Sequence, residues 1–430
     1  MMNMRYLYQT AASLTIATTV LLGTAESATA ASLVSTPSIN SPASSTNDKL
    51  ARKLQQTLDK TVKDNRITGA TVGIIGTQKT WFGASGVSSL ETKTAMRPQD
   101  RFPIGSTTKP FTAVTVLKLA EEGKLSLEDT LDKWLPASIL DNIPDSKSIT
   151  IRQLLNGTSG IYDILYGDDS PLQQEIPKNP TKQWTPEELV AYAYGKPRFA
   201  EELQGITCTP KYCYPNTGMI LAGMIIEKAT GSTFADVLRS RILNPLGMNN
   251  TFFAAQEQIP DGYVNGYLDY DNNGTLDNVT GVNLSFASTA GGIVSNTQDL
   301  TRFATALFGG ELLSADSLNQ MLDFQDIGVG DSLKYGLGLV STEFEGIGKA
   351  WGHNGSVTGY GSQWWYFPDL GITYVDLQNQ QPASDILSGI LKSLLKEQSK
   401  PVPEPSAIAG LIMLGAAGIV LKRKRIFTQK

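Results

Sequence analysis

The chain is poor in the residues that bind transition metals, because its 430 residues include one histidine and two cysteines. A zinc site needs about three or four nitrogen, sulfur or carboxylate ligands. Histidine-rich metal chemistry is therefore nearly excluded, and we expect no metal or other cofactor. The net charge of −5 offers no basic surface, so we expect no nucleic-acid partner. Hydrophobic residues make up 41% and charged residues 18%, which excludes a disordered, fibrous or polytopic membrane protein.

The N-terminal apolar run is also too short for an ordinary membrane span. Residues 1–30 contain an early Arg5, an apolar stretch at 14–22 and the sequence Ala28-Thr29-Ala30. This arrangement is typical of a signal peptide that is cleaved before Ala31, and an N-terminal anchor helix is the alternative. Cleavage is favoured because a bilayer span needs about 20 apolar residues.

Two polar segments enclose the body of the chain. Residues 31–48 are rich in Ser, Pro, Thr and Asn and predict a flexible linker, and residues 396–405 predict another. The body between them, residues 49–395, is predicted to be the functional domain.

The hydrophobic pattern places β-strands at both ends of this body and helices in its middle. An amphipathic helix begins the body, with apolar residues at a four-residue spacing from Leu50 to Val62. Short β-like runs lie at 70–85 and at 349–377, whereas the patterns from about 110 to 250 are mostly helical. We therefore predict an α+β fold: an antiparallel β-sheet flanked by helices, built from both ends of the body, with an inserted, mostly helical domain.

Ser106 and Lys109 form an S-x-x-K motif at the start of an apolar helix. Positions three apart on a helix share a face, so the hydroxyl and the amine are expected side by side on the first turn. The positive end of the helix favours developing negative charge. An amine whose pKa is lowered by burial can also accept the hydroxyl proton. S-x-x-K alone is nevertheless a frequent chance match.

Two later motifs make chance a poor explanation. Tyr214-Pro215-Asn216 opens an apolar helix, and His353-Asn354-Gly355 lies in a β-like run before Ser356. In this order, S-x-x-K, Y-x-N and H-x-G resemble the penicillin-recognising serine hydrolases. That family includes class C β-lactamases, D-alanyl-D-alanine carboxypeptidases and related esterases and aminopeptidases. Framework segments extend the resemblance over residues 50–395: 102–106, 122–125, 216–218, 245–248, 291–295 and 335–338. The resemblance implies a β-lactamase/transpeptidase-like fold.

The resemblance also implies catalytic roles. Ser106 would be the acylated nucleophile, and Lys109 and Tyr214 would share the work of general base and general acid. Asn216 would orient the substrate amide and the lysine.

The third motif would contribute to substrate binding. His353 would replace the lysine of most β-lactamases and lie near the substrate carboxylate or the tyrosine. Gly355 belongs to the same motif. The backbone N–H groups of Ser106 and Ser356 would form the oxyanion hole, where losing one donor costs about 3–4 kcal/mol. The histidine favours the carboxypeptidase, aminopeptidase and esterase branches over the β-lactamases.

One further departure from the family lies at residues 156–160. Where its members have His-Thr-Ser-Gly, this chain has Asn156-Gly157-Thr158-Ser159-Gly160. We expect this change to be structural rather than catalytic.

The two cysteines, Cys208 and Cys213, stand immediately before Tyr214. In an exported protein such a pair can oxidise. A disulfide closing this six-residue loop would stabilise the fold by roughly 2 kcal/mol in the chain-entropy model and would hold the segment that positions Tyr214. Two buried free thiols are the alternative.

An acidic segment around Gly274 resembles the first half of a calcium-binding loop. Its oxygen-bearing residues are Asp269, Asp271, Asn273 and Asp277. Thr280 stands where such a loop would need a bidentate glutamate, so an Asx-rich turn is favoured.

The C-terminal tail carries a second export pattern. Val402-Pro403-Glu404-Pro405 precedes an apolar run, residues 407–421, and a basic cluster follows at 422–425. Fifteen apolar residues in a helix cover only about 22 Å, which is marginal for a membrane span. Residues 402–425 resemble the PEP-CTERM sorting signal of exported bacterial proteins, and an ordinary tail anchor is the alternative. The resemblance implies a C-terminal sorting peptidase as partner and transient membrane contact through 407–421.

We therefore predict an exported, metal-independent serine hydrolase that forms an acyl-enzyme on Ser106. Its location would be the periplasm, the cell surface or the medium. A D-alanyl carboxypeptidase-like amide hydrolase comes first, with an esterase or a class C-like β-lactamase as alternatives. The substrate would be a small peptide, amide or ester. A non-catalytic surface or envelope binding protein is the alternative from another class, and the joint presence of the motif residues argues against it.

Overall fold

The computed structural model describes residues 45–76, 79–167, 170–270, 273–330 and 332–398. The predicted signal peptide (1–30) and sorting tail (402–425) lie outside these residues. Within the described part of the chain, no helix is both long enough and apolar enough to span a bilayer.

One nine-stranded antiparallel sheet organises the molecule. Its long strands are β1 (Gly69–Gly76), β2 (Lys79–Ser89), β3 (Val340–Phe344), β4 (Gly348–Val357), β5 (Tyr360–Phe367) and β6 (Ile372–Gln378). The spatial order of the long strands is β3-β4-β5-β6-β1-β2. A short strand, Thr94–Ala95, lies beyond β2 at one edge of the sheet. At the other edge, Lys334–Tyr335 pairs with β3, and Gln325–Asp326 lies beyond it. The N-terminal β1 pairs with the C-terminal β6, Ala70 lying opposite Gln378. The prediction of one antiparallel sheet built from both ends of the body is confirmed.

In the part of the chain that the structure describes, five long helices accompany the sheet: α1 (Ser45–Asp64), α2 (Lys109–Glu121), α3 (Asn216–Thr230), α4 (Thr297–Phe308) and α5 (Leu387–Gln398). The terminal helices α1 and α5 contact each other, and α1 also contacts β2, whereas α4 contacts β1, β5 and β6. Because strand side chains alternate between faces, Trp365 belongs to the core under α1 and α5, and its neighbour Trp364 to the core shared with α4. The sheet is therefore covered on both faces.

The segment between β2 and β3 contains the inserted, mostly helical part. Besides α2 to α4, its short α-helices are Ala137–Leu140, Ile151–Asn156, Pro171–Glu175, Pro186–Val190, Phe234–Leu238, Ser288–Gly291 and Ala315–Met321. Its short strands are Phe102–Pro103, Cys208–Thr209, Tyr212–Cys213, Phe252–Phe253, Tyr267–Leu268, Asp277–Asn278 and Ile293–Ser295, and Gln380–Gln381 joins Tyr267–Leu268 from beyond β6. Helix α2 is buried on nearly every side and packs against α3. These two helices bring the first two motifs together.

The third motif lies within a strand, as its β-like pattern predicted, because β4 runs on to Val357. Two helix boundaries differ from the sequence-based expectations. Helix α1 begins at Ser45, inside the predicted 31–48 linker. The hydrophobic pattern of residues 385–397 predicts a closing amphipathic helix, whereas helix α5 begins at Leu387 rather than Asp385. The Asp385 carboxylate instead accepts a hydrogen bond from the Ser388 N–H, as a capping residue does.

Candidate active site

Ser106 lies on a 3₁₀ turn, Gly105–Thr108, that leads directly into α2. We expected Ser106 on the first turn of the helix itself. The difference has a physical cause: Pro110 has no N–H to donate to the Ser106 carbonyl four residues earlier. The Lys109 N–H bonds that carbonyl instead, which tightens the chain into the 3₁₀ turn.

Lys109 is fully buried, and its amine has three hydrogen-bond partners. Nζ lies 2.9 Å from Ser106 Oγ, 2.8 Å from Asn216 Oδ1 and 3.0 Å from the Ala290 carbonyl oxygen. Burial lowers the pKa of Lys109 to about 7, although the charge of Asp163 acts in the opposite direction. A substantial fraction of the amine is therefore neutral near pH 7.

The partners of Lys109 decide where the lone pair of the neutral amine points. A carbonyl oxygen and an amide oxygen only accept hydrogen bonds. The Ala290 carbonyl and Asn216 Oδ1 therefore take the two amine hydrogens. The remaining partner is the Ser106 hydroxyl, which can donate. The arrangement thus aims the lone pair at the proton that the nucleophile must lose.

Tyr214 adjoins the same two groups. Its ring centroid lies 4.6 Å from Lys109 Nζ. Burial raises the pKa of the Tyr214 phenol, and a side-chain hydrogen bond with Ser106 lowers it by less. The phenol therefore keeps its proton at neutral pH and is suited to the role of general acid rather than general base.

A small hairpin positions Tyr214. Cys208 lies opposite Cys213 across the hairpin, and the structure joins the two in a disulfide. The Tyr214 N–H then donates to the Thr207 carbonyl at 2.8 Å. The disulfide therefore closes the hairpin that immediately precedes the tyrosine.

Asn216 begins α3 and links Lys109 to Asp163, a residue that lies outside the three sequence motifs. Its Nδ2 donates to Asp163 Oδ1 at 2.9 Å, on the side opposite Lys109. Asp163 is fully buried, and burial raises the pKa of its carboxyl. The sequence offered one signal for this residue, a carboxylate within the apolar run Ile161-Tyr162-Asp163-Ile164-Leu165.

Asn156, in the segment where the family has His-Thr-Ser-Gly, bonds within its own loop. Its side-chain oxygen accepts hydrogen bonds from the Thr158 N–H and hydroxyl.

His353 is fully buried in β4 and lies beside tyrosines. Nε2 is 3.3 Å from the Tyr335 hydroxyl, and Nδ1 faces the Asn354 carbonyl. The ring centroids of His353 and Tyr214 are 6.3 Å apart. Burial, and then the charge of Lys109, lower the pKa of His353 to about 3. The imidazole is therefore neutral at pH 7, and it lies near the tyrosine, one of its two expected neighbours. Tyr335 is a second neighbour that the sequence did not reveal.

The third motif lies on an open edge of β4. Residues 348–352 pair with β3, whereas the following residues to Val357 pair only with β5. This free edge lies directly against the nucleophile turn. A Cβ on Gly355 would come within 2.2 Å of the Ile104 carbonyl oxygen, and one on Gly105 (φ +50°) within 2.8 Å of the Ser356 nitrogen. Both glycines allow the approach that brings the backbones of Ser106 and Ser356 together, as an oxyanion hole requires.

A cleft of about 1290 Å³ opens over Ser106. Ser106, Tyr214, Asn216, Gly355 and Ser356 all line it. The charged residues in this lining are Asp163, Lys178, Asp269 and Asp376, so acidic groups predominate. Its geometry fits acyl transfer from a substrate carbonyl to Ser106.

The acidic segment around Gly274 forms local turns. Asp269 accepts from the Gly274 N–H, and Asn273 accepts from the Thr275 N–H. Asp271 lies outside the described residues. Within the described residues, no group of three or more His, Cys, Asp or Glu side chains is arranged to hold a metal ion. The turn interpretation accounts for the contacts of Asp269 and Asn273.

Comparison with known proteins identifies the family. The Beta-lactamase family model matches residues 54–390. The chain belongs to the Beta-lactamase family. It is 28% identical over 374 residues to Penicillin-binding protein 4* of Bacillus subtilis (strain 168), covering 83% of this chain and 78% of that protein. The predicted fold, family and serine-hydrolase type are confirmed.

Solved structures of amide hydrolases resemble this Beta-lactamase family member. The D-stereospecific amidohydrolase from Streptomyces sp. is 31% identical with a TM-score of 0.68, over 80% of this chain and 98% of that one. The D-amino acid amidase from Ochrobactrum anthropi SV3, complexed with D-phenylalanine, is 28% identical with a TM-score of 0.67, over 81% and 97% of the two chains.

Proposed function

We propose that the protein is an amide hydrolase that forms an acyl-enzyme on Ser106 and acts on amides or short peptides of D-amino acids. The observation that carries this proposal is the hydrogen-bonding of Lys109. Its lone pair is directed at the Ser106 hydroxyl, and its pKa of about 7 leaves much of it neutral at physiological pH. These are the properties of a general base.

The geometry supports a two-step reaction. Lys109 takes the proton from Ser106 as Oγ bonds to the substrate carbonyl carbon, and the Ser106 and Ser356 N–H groups stabilise the oxyanion. Tyr214 protonates the leaving amine as the C–N bond breaks, and the Lys109 ammonium returns the Ser106 proton to the Tyr214 oxygen. Water then loses a proton to Lys109 and attacks the ester carbon. The bond from that carbon to Ser106 Oγ breaks, the acid is released, and the proton on Lys109 restores the Ser106 hydroxyl. No step requires His353 to be charged.

The charges of the cleft guide the choice of substrate. A carboxypeptidase binds a substrate carboxylate, which favours a cation nearby. Lys178 is the one cationic side chain among the described residues that line the cleft, against three carboxylates, and His353 is neutral. We therefore place amino acid amides and peptides with a free amino group first. The relatives named as amidohydrolase and amidase support this order.

The D-alanyl carboxypeptidase predicted from the sequence is the second candidate. Lys178 within the lining and the relative named as a penicillin-binding protein favour it.

Mass spectrometry and kinetics test the proposal together. The protein without its predicted export segments (residues 32–400) is incubated with a fluorophosphonate and with a penicillin, next to Ser106→Ala. We expect an adduct on the unmodified protein alone. Turnover of D-phenylalanine amide above that of the L-amide, a D-Ala-D-Ala peptide and a p-nitrophenyl ester supports the amidase. Preference for the dipeptide, the ester or rapid penicillin hydrolysis would support the carboxypeptidase, esterase or β-lactamase instead. A folded protein with no adduct and no turnover would support a binding protein.

Export is part of the same proposal. The predicted signal peptide and the PEP-CTERM-like tail would route the protein out of the cytoplasm, and a sorting peptidase would remove the tail. The Cys208–Cys213 disulfide supports this, because disulfides persist in oxidising compartments. This part of the proposal is tested by measuring the intact mass of the protein recovered from the organism that naturally produces it. Loss of both the first 30 residues and the tail is expected, and full-length protein in the cytoplasm would contradict it.

A further inference from the structure

Asp163 is a buried carboxylate with an unusual set of partners. Its Oδ1 accepts two hydrogen bonds, from Asn216 Nδ2 at 2.9 Å and from the Leu165 N–H at 3.0 Å. Among the described residues, its Oδ2 has no partner with hydrogen-bond geometry. The Thr207 hydroxyl opposes the rise in the pKa of Asp163 that burial causes. Burying a carboxylate so incompletely bonded is unfavourable for stability.

The contact with Asn216 indicates a role for this buried carboxylate in orienting the amide. A side-chain amide presents an acceptor on one side and a donor on the other. Ionised Asp163 only accepts, so it holds the Nδ2 side of Asn216. The Oδ1 side must then face Lys109, as the 2.8 Å contact shows.

A reversed amide would disable the lysine. Nδ2 would face the Lys109 amine and donate to its lone pair, in competition with the Ser106 hydroxyl. Oδ1 would meanwhile oppose the Asp163 carboxylate, acceptor against acceptor. The orientation of one amide therefore decides whether the lysine lone pair is available to the nucleophile.

Asp163 also acts on the lysine through its charge. Lys109 is surrounded by Ser106 from its own turn, Asn216 from α3, the Ala290 carbonyl, the Tyr214 ring and the neutral His353 of β4. Against these neutral groups, the carboxylate of Asp163 raises the pKa of Lys109 and so limits the decrease caused by burial.

We propose that Asp163 is a positioning residue for the acylation of Ser106: it fixes the Asn216 amide so that the Lys109 lone pair faces the nucleophile. The inference rests on the proposed function, in which Lys109 is the general base.

The test measures the rate at which a fluorophosphonate labels Ser106 in the full chain, as a function of pH. This readout reports activation of the nucleophile and needs no natural substrate. Asp163→Asn keeps the shape and an acceptor but removes the charge and permits the reversed amide. We expect a plateau rate at least about tenfold lower, which corresponds to a loss of about 1.4 kcal/mol. We also expect the acid limb of the pH–rate profile, the fall in labelling rate at low pH, to move to lower pH by about one unit. The reason is that the pKa of Lys109 falls when the lysine loses a neighbouring negative charge.

Asp299→Asn is the matched control. Asp299 is also buried, and it accepts from the Thr251 hydroxyl and the Asn250 N–H, away from the site residues. Its replacement should lower the melting temperature without changing the pH profile of labelling. A purely structural role for Asp163 would give the same result as this control.

A double variant that combines Asp163→Asn with Asn216→Asp keeps one acid and one amide in the pair. It provides a second test if the single variant does not fold. It places the carboxylate directly against Lys109, so the acid limb should move to higher pH. A single variant with wild-type rate and limb, or a double variant with an unmoved limb, would overturn the inference. A folded wild-type protein that is not labelled at all would instead refute the proposed function, and the inference with it.

Discussion

The acid limb of the pH–rate profile should belong to Lys109 and not to the single histidine. Burial brings the pKa of Lys109 down to about 7 and that of His353 to about 3. The base must be neutral to accept the Ser106 proton. Its neutral fraction is about one half at pH 7, about one tenth at pH 6 and about one hundredth at pH 5. kcat/KM should therefore fall about tenfold per pH unit below pH 6 and level off above pH 8.

The assay follows kcat/KM for a p-nitrophenyl ester between pH 5 and pH 9, at constant ionic strength, because this substrate has no amino group that would itself titrate in the same range. His353→Gln distinguishes the two candidate groups, since an unperturbed histidine would titrate near the same pH. Glutamine can still bond the Tyr335 hydroxyl. We expect the limb to stay near pH 7 in this variant, with a lower plateau.

Lys109→Arg provides the opposite control. A guanidinium stays protonated at every accessible pH, so it cannot act as the base. The rate should fall at least about a thousandfold, as expected when a nucleophile loses its base. A limb that disappears in His353→Gln, or an Arg variant that keeps a limb near pH 7, would refute the assignment.

Three further predictions test individual parts of the site. Tyr214→Phe should lower kcat about 10²–10⁴-fold with little change in fluorophosphonate labelling of the folded protein, because the phenol proton is needed by the leaving amine; equal kcat would contradict this. Gly355→Ala should lower the melting temperature and activity, because its Cβ would lie 2.2 Å from a backbone oxygen, whereas Gly281→Ala, with nothing within 4 Å, should leave the melting temperature unchanged. Replacing Cys208 and Cys213 by serine should cost about 2 kcal/mol in urea unfolding; unchanged stability would show that the disulfide is dispensable.

The fold and the motif residues could be predicted from the sequence because their signals are local. Ser106 and Lys109 are three positions apart, and the glycine of the third motif stands two residues after His353. Alternating and helical hydrophobic patterns likewise marked which ends of the body would form the sheet. In each case the relevant spacing lies within one element, and the order of the motifs then linked the elements.

The roles of Asp163 and Tyr335 could not be predicted from the sequence, because they depend on contacts between distant segments. Asp163 meets Asn216 across 53 positions, and only the packing of its loop against the start of α3 makes that contact. Tyr335 contacts His353 from a short strand that is separated from β4 by β3 in the sheet. The pKa values of Lys109 and His353 likewise follow from complete burial, which a sequence pattern does not specify.

The burial of Lys109 is itself an argument for catalysis. Its pKa falls from 10.5 to about 7 on folding, which corresponds to about 5 kcal/mol. Between about pH 7 and pH 10.5 the unfolded chain holds a proton that the folded chain has released, so the free energy of unfolding rises with pH across this window. Below about pH 7 both states hold the proton, and the whole cost of burying the charged amine is present. The three hydrogen bonds of the amine offset part of this cost. A protein that only bound a ligand at this surface would gain nothing from a lysine kept near neutrality beside a serine. The unfavourable burial is explained if the fold needs an amine that is neutral at the pH where Ser106 must be deprotonated.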